Sequence, residues 1–208
     1  MGYATRLIGL AALAAASVSC GDVARQGSSP VFLVIDQLVG IRGAAQPGTP
    51  ASTLISDVIT NVTSPDPCST ATPCPTIFGD TGSATLRAPL KDIGATASLS
   101  PTSNNEVTIN RVHVDYLRAD GRNTPGVDVP FGFDTAVTGT IGAGGTLTLG
   151  FELVRNIAKR EGPLVQLKSG GNIISVIARV TFYGVDRTGN AIQTTGQIQV
   201  EFGNFGDF

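Results

Sequence analysis

Apolar and polar positions alternate most clearly towards the C-terminal end of the chain. In residues 172–186, NIISVIARVTFYGVD, Ile174, Val176, Ala178, Val180 and Phe182 fall on one face, with Ser175, Arg179, Thr181 and Tyr183 on the other. That period of two predicts a strand with one buried face. DRTGN supplies a glycine-containing turn, and AIQTTGQIQVEFGNF returns with Ile198, Val200 and Phe202 alternating against Gln197, Gln199 and Glu201. The two runs predict a β-hairpin. Further upstream, residues 105–121 (NEVTINRVHVDYLRADG) place Val107 and Ile109 on one face and Val112, Val114 and Tyr116 on the other. A change of face near Asn110 predicts a bulge or a bend between sheets. ADGR adds an Asp-Gly turn.

Less regular segments extend the pattern. GVDVPFGF reads as extended chain confined to an edge by Pro130. AVTGTI and GTLTLGFELV flank GAGG and predict a second hairpin, while VFLVIDQLVGI, STLISDVITNV and SATLRAPLKDI are further strand candidates. RNIAKREGPLVQLK, residues 155–168, lacks alternation and predicts a short helical turn broken near Gly162 and Pro163. Seven to nine strands with frequent turn signals predict an all-β sandwich. Over residues 30–205 the pattern resembles the immunoglobulin or fibronectin type III architecture, without the buried Trp or the inter-sheet cysteine pair of antibody domains. A lipocalin-like barrel, or two small domains divided near residues 98–105, are the alternatives. One domain is preferred, because residues 30–97 alone offer too few strands to close a core.

The N-terminal region follows a different pattern. Arg6 precedes a twelve-residue apolar run, LIGLAALAAASV, and small residues lead to Cys20. A basic start, a short apolar middle and a small-residue cleavage site are the marks of an export signal. The run is too short to span roughly 30 Å of hydrocarbon as a helix. SVSC, residues 17–20, resembles the lipobox of bacterial lipoproteins, with Val18 and Ser19 matching its second and third positions and Ser17 standing where an aliphatic residue is usual. The resemblance implies cleavage after Ser19 and a diacylglycerol on Cys20. An ordinary signal peptide cut at the same bond is the alternative. The expected organisation is a signal over 1–19, a flexible tether over 20–29, and a β-sandwich over 30–208.

Cysteine content bears on the same point. Three cysteines in an exported chain leave one odd. With Cys20 acylated, Cys68 and Cys74 in the proline-bounded loop CSTATPC form a pair that an oxidising compartment allows to bridge. Closing a ring that small contributes roughly 2.4 kcal/mol. Zinc needs four ligands, and the only histidine lies far away in sequence.

Composition narrows the function further. A formal charge of -2 with 14% charged residues is the wrong balance for a nucleic-acid binder. GTIGAGGT lacks the Lys-Ser/Thr ending and following helix of a phosphate loop. His113 and Asp115 share a strand face and could share a proton, but no G-x-S-x-G elbow supplies a nucleophile. Asp120, Asn123 and Asp128 surround one turn without a calcium-loop spacing. The Asn61 sequon has no meaning behind a bacterial signal. The ending FGNFGDF resembles the final strand of outer-membrane barrels, but lipid-facing alternation is missing elsewhere. No catalytic, cofactor or metal residue is therefore assigned. The expectation is a non-enzymatic envelope lipoprotein, at the outer membrane or cell surface rather than the inner membrane. It is tied to the bilayer by its lipid and has a protein partner. A small-molecule or glycan carrier is the alternative, and an enzyme accessory domain a third.

Overall fold

A computed structural model describes residues 28–44, 46, 48–91 and 100–206. The predicted signal, Cys20 and most of the predicted tether lie outside these residues. The strands are β1 (Val34–Ile41), β2 (Thr53–Asp57), β3 (Thr60–Val62), β4 (Cys74–Thr76), β5 (Asp80–Arg87), β6 (Val107–Leu117), β7 (Phe133–Ile141), β8 (Thr146–Val154), β9 (Ile174–Asp186) and β10 (Ala191–Gly203). They form a sheet ordered β1-β5-β8 and a larger one ordered β2-β10-β9-β6-β7, with β3-β4 as a separate ribbon. All pairings are antiparallel except β2 with β10. The chain passes repeatedly between the two sheets, and the result is an immunoglobulin-like all-β sandwich.

The inward faces are those the alternation predicts. Val176, Ala178, Val180 and Phe182 of β9 and Ile198, Val200 and Phe202 of β10 are buried. From the other sheet Ala84, Leu86, Leu149, Phe151 and Leu153 meet them. Phe151 and Phe182 stack edge to face with centroids 5.5 Å apart, and Tyr116 and Phe202 do so at 6.1 Å. In β6 the register shifts between Ile109 and Arg111 against both neighbours. That bulge turns the two sequence faces into one. Val107 and Ile109 before it, and Val112, Val114 and Tyr116 after it, all enter the core.

Three expectations need correction. β7 and β8 are not a hairpin, since β7 pairs with β6 and β8 with β5. The intervening glycine loop, closed by Gly145 N–H to the Gly142 carbonyl at 2.9 Å, carries the chain from one sheet to the other. Leu147 lies over Gly139, where an added Cβ would come within 2.8 Å of it. The strands thus stack face to face. GVDVP is a compact turn and not extended chain. Gly126 N–H bonds the Val129 carbonyl at 2.7 Å and Asp128 N–H the Thr124 carbonyl at 2.8 Å, and Gly126 adopts φ +77°. β7 starts only at Phe133, although it does occupy an edge. STLISDVITNV divides between β2 and β3, which belong to different sheets. The segment after β8 does make short helical turns, of 3-10 type, at Ala158–Arg160 and Leu164–Ser169, interrupted between them at Gly162-Pro163.

Strand directions give the sandwich two distinct ends. The first gathers the starts of β1, β6, β8 and β10, so residues 28–31 enter there, with Val31 bridging Leu90. We call it the proximal end. At its β9–β10 turn, Asp186 is buried and accepts from Thr188 N–H at 3.0 Å, Thr188 Oγ1 at 2.7 Å, Asn190 N–H at 2.9 Å and Asn190 Nδ2 at 3.0 Å. Burial alone would raise this carboxyl; hydrogen bonds from Asn190, Thr188 and Ser29 outweigh it and lower the pKa from 3.8 to about 2. Because the folded value is depressed, the stabilisation is full above the unfolded value and disappears as pH falls from about 4 through 2. Asp186→Ala is expected to cost on the order of 1–2 kcal/mol at neutral pH. It should also flatten the loss of stability across that acid window, read by urea unfolding at stepped pH.

Candidate functional site

The opposite, distal end gathers the loops after β1, β6 and β8 and the residue that opens β5. Beneath them lies a buried polar knot. Lys159, in the first 3-10 turn, has no exposed side-chain surface, and neither has Asp80. Lys159 Nζ lies 2.8 Å from Asp80 Oδ2 and donates to the Asp57 carbonyl at 2.8 Å. Asp80 also accepts Gly43 N–H on Oδ1 at 2.8 Å and the Ser56 hydroxyl on Oδ2 at 2.6 Å. Four segments are thereby pinned to one another: the loop after β1, strand β2, the start of β5 and the turn after β8. Asp57 is buried too, and its Oδ1 accepts Ile59 N–H and Phe205 N–H, each at 3.3 Å. Close by, Tyr116 donates its hydroxyl to the Leu153 carbonyl at 2.7 Å. Burial and the Asp80 charge hold that phenol well above its ordinary pKa. Sequence reasoning missed this knot. Lys159 sits beside Arg160 in a charged stretch, and buried lysines are rare enough that nothing singled it out.

The loops above the knot expose apolar side chains. Of eight large hydrophobic residues exposed among the described ones, Val127, Phe131, Ile157, Val165 and Ile173 lie in the loops of this end. The loops touch: a Cβ added at Gly162 would come within 2.6 Å of the Gly126 carbonyl oxygen, and the Phe131 ring covers Gly126. Arg155 lies with its guanidinium 4.6 Å from the Phe133 ring centre, and its buried Nε has no hydrogen-bond partner. Apolar groups gathered on neighbouring loops, unlike single scattered ones, mark surfaces that bind. Loops at one end of a sandwich are the customary place for that. The Cys68–Cys74 disulfide closes the loop between β3 and β4, as the cysteine arithmetic predicts.

The predicted proton-sharing pair is brought together, but inside a larger ladder on the outer face of the five-stranded sheet. His113 Nε2 lies 3.5 Å from Asp115 Oδ2, and its Nδ1 lies 3.2 Å from Asp134 Oδ1. Asp115 takes three hydrogen bonds from Arg179, with Nε shared between its two oxygens, and Asp134 takes one from Arg111. Arg111 in turn stacks 3.9 Å from the Tyr183 ring centre. The hydroxyl across the strand from His113, Thr181, is bonded to Thr195 at 2.9 Å. The partly exposed Arg179–Asp115 and Arg111–Asp134 pairs each contribute no more than about 1 kcal/mol. The oxygens considered for calcium are engaged elsewhere. Asp120 binds Arg118 and Arg122, Asn123 accepts Arg118 N–H at 2.6 Å, and Asp128 accepts Thr124 N–H at 3.2 Å. The backbone N–H of Arg122 and both guanidiniums lower the Asp120 carboxyl to about 2.

A groove of about 510 Å³ runs along the opposite edge, between residues 33–38 and residues 194–197. There β10 extends beyond β2, which pairs only with Gln199 to Gly203. Ile35 and Leu38 cover Gly196 at its floor. No helix among the described residues is long and apolar enough to cross a membrane. In sequence, no protein-family model matches this chain and no curated protein matches it.

Proposed function

We propose that the protein is a bacterial envelope lipoprotein, held by a lipid on Cys20, whose sandwich presents its distal loops to a protein partner without catalysing a reaction. The observation that carries this reading is the polarity of the domain. Residues 28–31 enter at one end, and the exposed Val127, Phe131, Ile157 and Val165 stand at the other. Strand β9, at 13 residues, separates the two ends by roughly 40 Å. A domain tethered at its proximal end therefore carries its apolar loops away from the bilayer. The Cys68–Cys74 bridge supports the same reading, because it accounts for the other two thiols and suits an oxidising compartment. The lipobox-like SVSC supports export and lipid attachment within the envelope, and we place the protein at the outer membrane or cell surface rather than the inner membrane.

Cys20→Ser tests the anchor. The wild-type chain is expected to sediment with membranes and to partition into detergent, and the variant to appear folded in the soluble fraction. A wild-type chain found soluble with Met1 intact, or a Cys20→Ser chain still bound to membranes, would overturn the anchor. A photo-crosslinking residue at Val127 is expected to trap one discrete partner in intact cells, whereas one at Thr85 on the smaller sheet is expected to trap none. Equal trapping at both positions would overturn the distal surface.

A further inference from the structure

We propose that Lys159 and Asp80 are a covalent modification site, at which the folded chain closes an internal amide between the lysine amine and the aspartate carboxyl with loss of one water. The two groups are already in direct contact. Both side chains are fully buried with Nζ 2.8 Å from Oδ2, and the amine is steadied from its other side by the Asp57 carbonyl at 2.8 Å. The carboxyl is polarised from both oxygens. Gly43 N–H points at Oδ1 from 2.8 Å and the Ser56 hydroxyl at Oδ2 from 2.6 Å. A backbone N–H on one oxygen is what a developing oxyanion needs, and a hydroxyl on the other can pass a proton to the oxygen that leaves.

The step balances without a further reactant. A proton passes from the ammonium to Oδ2, leaving a neutral amine beside a neutral acid. The amine lone pair attacks Cγ, and Oδ1 takes the negative charge against Gly43 N–H. The nitrogen then gives up a second proton, relayed by Ser56 Oγ to Oδ2. The Cγ–Oδ2 bond breaks, water departs, and the C=O of the new amide re-forms at Oδ1. Nothing is oxidised or reduced. The product amide can keep its N–H on the Asp57 carbonyl and its oxygen on Gly43 N–H. Two features favour it over the ion pair. Fixed neighbours react with effective molarities on the order of 10⁵–10⁸ M, which lowers the barrier to the condensation. In addition, two ions buried far from solvent, which are costly to desolvate, become one neutral hydrogen-bonded group.

The test is peptide mass mapping of the whole folded chain after denaturation and tryptic digestion. A closed amide blocks cleavage after Lys159 and yields one branched species joining residues 43–87 to residues 156–160. Its mass falls about 18 Da below the sum of the two peptides once the disulfide is counted. Asp80→Asn is expected to give the same branched species, because an asparagine losing ammonia forms the identical amide. Lys159→Arg is expected to give none. A wild-type chain that is folded yet releases residues 156–159 as a free peptide, with no branched species, would overturn the proposal. That readout needs no variant to fold.

Discussion

Lys159→Ala is expected to cost about 3–5 kcal/mol of folding stability relative to a chain whose Lys159–Asp80 pair is still ionic, the range found when one partner of a buried charge pair is removed. The variant strands Asp80 with no exposed surface and no cation beside it, and it takes a donor from the Asp57 carbonyl. A companion variant separates the charge effect from a packing effect. In Lys159→Met combined with Asp80→Asn, the methionine fills the channel of the lysine stem. The asparagine oxygen still accepts Gly43 N–H, which Asp80 now holds at 2.8 Å, and no buried charge remains. Most of the lost stability is expected to return. Urea unfolding at neutral pH measures both. A single variant within about 1 kcal/mol of wild type, or a double variant no better than the single, would contradict the role given to the knot.

Phe182→Ala is expected to cost about 3–5 kcal/mol by leaving a cavity where the two sheets meet. Its ring is fully buried and stands edge to face on Phe151 of the opposite sheet, at 5.5 Å. Val112 of β6 and Thr194 of β10 are its lateral neighbours in register, so neither strand can collapse inward without losing its own pairing. Gln197→Ala, on an exposed position of β10, is expected to stay within about 0.5 kcal/mol. Comparable losses for the two variants would mean that the inward face has been assigned wrongly.

The contrast between what could and could not be read in advance follows from what periodicity encodes. Alternation reports which face of a strand is wet, and so the β9–β10 hairpin was legible down to its turn. The break in alternation at Asn110 marked the bulge of β6 in the same way. Alternation does not report which strand lies alongside. Residues 133–141 and 146–154 are joined by a short glycine loop in either arrangement, and only the pairing to β6 and β5 separates an arch from a hairpin. β7 does lie at an edge, but Pro130 stands outside it, and the φ of Gly126 that folds GVDVP into a turn has no apolar signature. The knot was hidden for a different reason. The burial of Lys159 depends on Asp80, Ser56 and Gly43, which are far away in sequence, so no local window contains the cause. The cysteine pair was legible because counting thiols needs no geometry. Cys20 and the lipobox-like stretch lie outside the described residues.

The central proposal is a lipid at Cys20 with the sandwich held beyond it. Mass spectrometry of the N-terminal peptide from the protein extracted from its native membranes tests this most directly. The expected result is a chain that begins at Cys20 and carries diacylglycerol on Sγ. A chain that begins at Met1, or one cut after Ser19 with an unmodified thiol, would contradict it.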